Sequence, residues 1–184
     1  MRIIGGEYRS RLIEMPKGVE IRPTQDRVRE AVFNIIGDVS EKKVLDLFAG
    51  SGASGLEAIS RGAAHSTFVD VNSRCTGTIK TNIESLNIQE YQYDIIRGNV
   101  FAVLMRLEKE AEVFDMVFVD PPYYKDLARK CLICLDYYDI LSPNALIIVE
   151  HFKKDSLETD LEVLKLEKEK MYGDTAITIF KKGA

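Results

Sequence analysis

No stretch of the 184-residue sequence approaches the roughly 18 consecutive apolar residues that a membrane-spanning helix needs. The opening MRIIGGEYRSR also lacks the apolar centre of a secretory signal. Both absences point to a cytoplasmic protein without a membrane partner. Cysteine is scarce: Cys75, Cys131 and Cys134 form an odd set in a chain too large to need staples, so no disulfide framework is expected. The spacing Cys131-x-x-Cys134 lies in an apolar helical stretch with neither a second pair nor a histidine cluster beside it. It reads as core filling, and no metal is implied. The two histidines, His65 and His151, are isolated and take no role. Internal repeats and low-complexity linkers are missing as well. With 46% apolar residues, the length suits a single domain spanning 1–184.

A large excess of one charge is also lacking, since the net charge is −4, but the distribution is uneven. Residues 1–30 carry seven basic side chains (Arg2, Arg9, Arg11, Lys17, Arg22, Arg27 and Arg29) against five acidic ones. Guanidinium groups grip phosphate oxygens in pairs and stack on bases, so the six arginines are candidate RNA contacts. A solvated face with internal partners at Glu7, Glu14, Asp26 and Glu30 explains the same composition.

The chain opens with a β-hairpin extension over residues 1–22, followed by a leading helix, 24–36, that Thr24 can cap. From residue 43 onward, apolar strands alternate with helices. Strands are expected near Val44–Leu47, Ser66–Val71, Tyr93–Arg97, Phe114–Asp120 and Ala145–His151. The helices between them begin after the glycine-rich run Ala49–Gly55 and cover Ser73–Leu86, Val100–Lys109 and Tyr124–Leu141. Alternation at this spacing implies parallel strands joined by right-handed crossovers. The ending differs: Leu161–Lys170 and Thr175–Lys181 flank a turn at Gly173-Asp174, an antiparallel hairpin. The class is α/β, Rossmann-like, with a mostly parallel seven-stranded sheet over a core of 43–184.

Two motifs carry chemistry. Gly50-Ser51-Gly52-Ala53-Ser54-Gly55 is G-x-G-x-x-G between strand and helix, and Asp70 follows the first glycine by twenty residues. This fits a nucleotide whose ribose hydroxyls meet Asp70. Asp46, near the end of the preceding strand, would repel a pyrophosphate at the helix start and would welcome a cation. The sulfonium and ammonium of S-adenosylmethionine suit it better than NAD. Asn99, with Val100, ends the third strand at the same edge and either contacts an adenine or caps the next helix.

The second motif is Asp120-Pro121-Pro122-Tyr123, at the end of the fourth strand. Two prolines stop the strand, so the Asp120 carboxylate and the Pro121 carbonyl can both accept from a planar NH2 group. Tyr123 can stack on the base that carries it. An amine whose lone pair is delocalised into a ring is a poor nucleophile. Acceptors aimed at its hydrogens favour the pyramidal form that attacks.

These blocks, together with Arg2-Ile3-Ile4-Gly5-Gly6, Arg22-Pro23-Thr24-Gln25-Asp26-Arg27 and Gly55-Leu56-Glu57-Ala58, resemble class I S-adenosylmethionine-dependent methyltransferases. More narrowly, the chain resembles the RsmD-like family, which methylates a guanine N2 in small-subunit ribosomal RNA. The resemblance implies S-adenosyl-L-methionine as cofactor, held by Asp46, Phe48, Gly50, Gly52, Asp70, Asn99 and Val100. It makes Asp120, Pro121, Pro122 and Tyr123 catalytic. It gives Arg2, Arg9, Arg11, Arg22, Arg27 and Arg29 to RNA, with a monomer acting on ribosomal RNA or on an assembling small subunit. The same chemistry on an adenine N6 or a protein glutamine amide is the alternative. An NAD-dependent oxidoreductase and a non-catalytic RNA-binding module are more distant ones.

Overall fold

The computed structural model describes residues 1–18, 26–122, 126–157 and 160–183. Seven strands form one sheet: β1 (Lys43–Leu47), β2 (His65–Asp70), β3 (Tyr93–Arg97), β4 (Phe114–Val119), β5 (Leu141–Phe152), β6 (Leu164–Tyr172) and β7 (Thr175–Lys182). Their order is β3-β2-β1-β4-β5-β7-β6. The first five run parallel, and β7 is antiparallel to both β5 and β6. The order reverses between β1 and β4, and in open parallel sheets the crevice beyond the strand ends at such a point receives the ligand.

Period-two alternation along the strands sends side chains to two cores. Leu45, Leu47, Val117, Val119, Ile147 and Val149 meet α4 (Val100–Lys109) and α5 (Leu127–Tyr137) on one face. On the other, Val44, Met116, Phe118 and Ile148 pack under α1 (Asp26–Ile36) through Val28, Val32 and Phe33. Phe68 of β2 packs with Leu56 of α2 (Ala53–Ser60) and with Ile79 and Ile83 of α3 (Ser73–Leu86). Ile3 and Ile13 of the N-terminal segment join that third cluster. Among the described residues no helix is long and apolar enough to cross a membrane.

Three expectations are corrected. The fifth helix is shorter than Tyr124–Leu141: it ends at Tyr137, with Tyr138 extended, and β5 starts at Leu141. Pro143 cannot donate to a ladder. The chain takes up this stretch as an irregularity, Leu141 facing Phe114 and Leu146 facing Met116, with Asn144 left-handed at φ 63°. The N-terminal hairpin reduces, within residues 1–18, to one antiparallel bridge between Arg2 and Leu12. Backbone bonds from Ile3 N–H to the Arg11 carbonyl (2.9 Å) and from Ile13 N–H to the Met1 carbonyl (3.0 Å) flank it. Residues 19–22 of the expected hairpin extension and the Thr24 cap lie outside the described residues. The third is Arg29, expected on an exposed arginine face and found buried.

Cys131 is buried in α5 and Cys134 half-buried, both as free thiols. Burial pushes Cys131 up to about 12, so neither redox nor metal chemistry is favoured there. The Lys165–Lys170 run faces solvent on the edge strand β6, where charge discourages pairing with another chain.

Candidate functional site

The loop from β1 to α2 is shaped by backbone conformations that side chains resist. Phe48, directly after β1, has φ 58°, an uncommon left-handed conformation for a bulky residue. Gly52 follows at φ 80°, and a Cβ there would stand 3.1 Å from the Ile79 side chain and 3.3 Å from the Phe68 ring. Gly55, one turn into α2, lies closer still: an added Cβ would fall 2.3 Å from the Phe68 ring. The glycines thus let α2 press onto β2.

Two carboxylates hold this loop. Asp70, at the end of β2, accepts from Gly50 N–H (2.9 Å) and Asn72 N–H (2.8 Å). Asp46 accepts from Gly55 N–H (2.9 Å) and is almost wholly buried. Burial pushes the Asp46 carboxyl up to about 7; the Gly55 amide partly offsets this, and the negative Asp70 adds to it. A cation against Asp46 would relieve this cost. Because the folded value lies above the unfolded one, the stabilisation is complete below the ordinary carboxylate range and is lost as pH rises through about 7. The melting temperature of the ligand-free protein should therefore fall between pH 5 and 7. The underlying slope is up to about 1.4 kcal/mol per pH unit. Asp46→Asn should flatten it. An equal slope in that variant, measured by calorimetry, would assign the titration elsewhere.

Asn99 caps α4: its side-chain oxygen accepts from Phe101 N–H (3.0 Å) and Ala102 N–H (3.4 Å). Of the two roles the sequence leaves open for Asn99, the structure shows the helix cap, and Val100 is buried at the helix start.

Across the switch point, Asp120, Pro121 and Pro122 follow β4 directly. Asp46 lies level with Phe118, two residues before Asp120. An open, shallow cleft lies between α1 and this edge. Val32, Phe33, Ser54, Asp120, Glu150 and Ile177 are among its walls. Tyr123 and Arg22 lie outside the described residues. Arg2, Arg9, Arg11 and Arg27 are exposed; Arg11 also donates to the Ser85 carbonyl (2.7 Å).

Arg29 departs from the expected arginine face. It is only 2% exposed, and its guanidinium donates to the Arg2 carbonyl and to Asp26 (3.1 Å). Its Nε faces a Glu57 carboxylate oxygen at 3.5 Å. Val28 and Val32 share the buried side of α1, and Arg29 goes in with them because a buried carboxylate waits there. Glu57, fully buried, also accepts from Ile4 N–H (2.8 Å), Gly5 N–H (2.8 Å) and Arg61 Nε (2.7 Å). Sequence reasoning gave Glu57 no role. A charged residue amid Leu56, Ala58 and Ile59 was the available signal.

The family model described as "Conserved hypothetical protein 95" matches residues 1–181. The ribosomal RNA small subunit methyltransferase D of Escherichia coli strain K12 is 34% identical over 185 residues, covering 100% of this chain and 91% of that protein. The Haemophilus influenzae protein of the same name is 35% identical over 181 residues, with coverage of 98% and 93%. A solved Escherichia coli structure, the candidate methyltransferase yhhF, matches with a TM-score of 0.83 at 32% identity, covering 100% of this chain and 98% of that one.

Proposed function

The chain belongs to the Conserved hypothetical protein 95 family, the RsmD-like methyltransferases, and from that premise we propose that it methylates the N2 amine of a guanine in small-subunit ribosomal RNA. The observation that carries this reading is the meeting of the two motifs at one edge: the glycine loop with Asp46 ends β1, and Asp120-Pro121-Pro122 ends the adjacent β4. S-adenosylmethionine supplies, when bound, a methyl group on a cationic sulfur. The buried Asp46 fits that ligand, since its ionisation is opposed by burial and favoured by a cation beside it. Gly50 and Gly52 allow close approach of the ligand's methionine end, with Phe48 beside them. Asp70 is assigned to the ribose, and Asn99 and Val100 to flanking the adenine, with the Asn99 oxygen kept by the α4 cap.

The target base enters from the cleft. Asp120 and the Pro121 carbonyl accept from the two hydrogens of its amine, drawing the nitrogen toward a tetrahedral shape and leaving its lone pair directed at the methyl carbon. Pro122 fixes the loop, and Tyr123 is assigned to stack on the base. An unpaired nucleotide is the fitting substrate, because the base must leave its stack to reach the edge. Arg2, Arg9, Arg11, Arg22 and Arg27 are assigned to flanking phosphates. The protein works in the cytoplasm as a monomer on ribosomal RNA or an assembling subunit, without a metal.

The test is transfer of tritium-labelled methyl groups to small ribosomal subunits, and to their naked RNA, from a strain lacking this gene, followed by nucleoside digestion. N2-methylguanosine is the expected product. Label in N6-methyladenosine would overturn the base, and no label in either RNA would overturn the substrate class.

A further inference from the structure

The cleft beside Asp120 holds a second carboxylate that neither motif contains. Parallel pairing of β4 with β5 sets Phe118 opposite Ile148 and Val119 opposite Val149, so Asp120, the residue just past β4, comes next to Glu150, which is still inside β5. Neighbouring strands lie about 4.8 Å apart. Both residues share the sheet face that carries Phe118 and Ile148 under α1, and both line the cleft. Glu150 also pairs with Ile177 of β7, another wall residue, so the rigid centre of the sheet positions it and no loop is involved.

We infer that Glu150 selects the base, by accepting a hydrogen bond from the ring N1–H of guanine while Asp120 and the Pro121 carbonyl hold the amine next to it. This rests on the guanine reading above. On guanine the N2 amine and N1–H are adjacent donors, a pattern that two adjacent acceptors match. Adenine presents its N6 amine beside N1, which carries a lone pair and no hydrogen; a glutamine amide presents its amine beside a carbonyl oxygen. Against either, the Glu150 carboxyl oxygens would set acceptor against acceptor in a partly desolvated cleft. Unpaired polar groups of that kind discriminate far more strongly than apolar fit does. Asp120 and Pro121 alone recognise an NH2 group, and Glu150 adds the neighbouring atom.

Glu150→Gln and Glu150→Asp test this on the small ribosomal subunits described above. Calorimetric affinity for S-adenosylmethionine and melting temperature are measured alongside. The wild type should yield N2-methylguanosine. Glu150→Gln should lose roughly 30-fold or more in kcat/KM, the scale of a charge-assisted hydrogen bond, with cofactor affinity and melting temperature unchanged. Glu150→Asp should recover part of the loss. Wild-type N2-methylguanosine with Glu150→Gln within about threefold of it would overturn the inference and leave the guanine reading standing. Loss of cofactor binding together with turnover in both variants would make Glu150 structural and overturn it too. Wild-type label on adenosine N6 would overturn the reading and the inference together.

Discussion

Asp120→Ala is expected to lower methyl transfer by roughly 10²- to 10³-fold in kcat while leaving the affinity for S-adenosylmethionine within about twofold. The two effects separate because of where the residue stands. Asp120 follows β4 on the cleft side, whereas the residues assigned to the cofactor belong to the ends of β1, β2 and β3 and the loops after them. In the proposed role, removing the carboxylate deletes an acceptor for the amine's hydrogens, and its effect is greatest when the nitrogen becomes tetrahedral. Asp120→Asn keeps the shape and one acceptor oxygen, so it should fall between. Single-turnover kinetics with labelled methyl, beside calorimetric titration of the cofactor, give both quantities. Turnover near the wild-type level in Asp120→Ala would remove the residue from the chemistry.

Glu57→Ala should cost about 3–5 kcal/mol of stability, because it removes the buried carboxylate shared by Arg29, Arg61 and the Ile4 and Gly5 amides and leaves the buried Arg29 guanidinium with the half-exposed carboxylate of Asp26. For a chain of this size that corresponds to a fall in melting temperature of about 10 °C. Arg29 is 2% exposed and Glu57 is fully buried, so water cannot replace the lost partner without opening the structure. The same carboxylate accepts from the backbone at Ile4 and Gly5, which ties the N-terminal segment to α2. Brief trypsin treatment should therefore cut the variant after Arg9 or Arg11 well before the rest of the fold. A melting temperature within about 2 °C of the wild type would show that the segment is held without Glu57.

Much of the fold was legible because its signals are local. Ser73–Leu86, Tyr93–Arg97 and Val100–Lys109 have the boundaries that side-chain periodicity and the possible Asn99 cap suggest. The α5 boundary was misread because Tyr137, Tyr138, Ile140 and Leu141 continue an apolar pattern that suits helix and buried strand alike. Pairing of Leu141 with Phe114 decides between them. Local pattern also marked Asp46, the glycine loop and Asp120, each of which ends a strand.

By itself the sequence determined the order of strands and helices, the glycine turn and the Asp-Pro-Pro stop, since these depend on residues within a few positions of one another. Tertiary structure alone decided which charges meet. Composition grouped Arg29 with the exposed arginines, but Glu57 lies 28 residues away and reaches it only when α2 packs against α1 and the N-terminal segment. Asp120 and Glu150 are 30 residues apart and become neighbours through the register of β4 with β5. Burial of a charge and alignment of two strands are properties of contacts between distant segments, and nearest-neighbour periodicity carries no record of them.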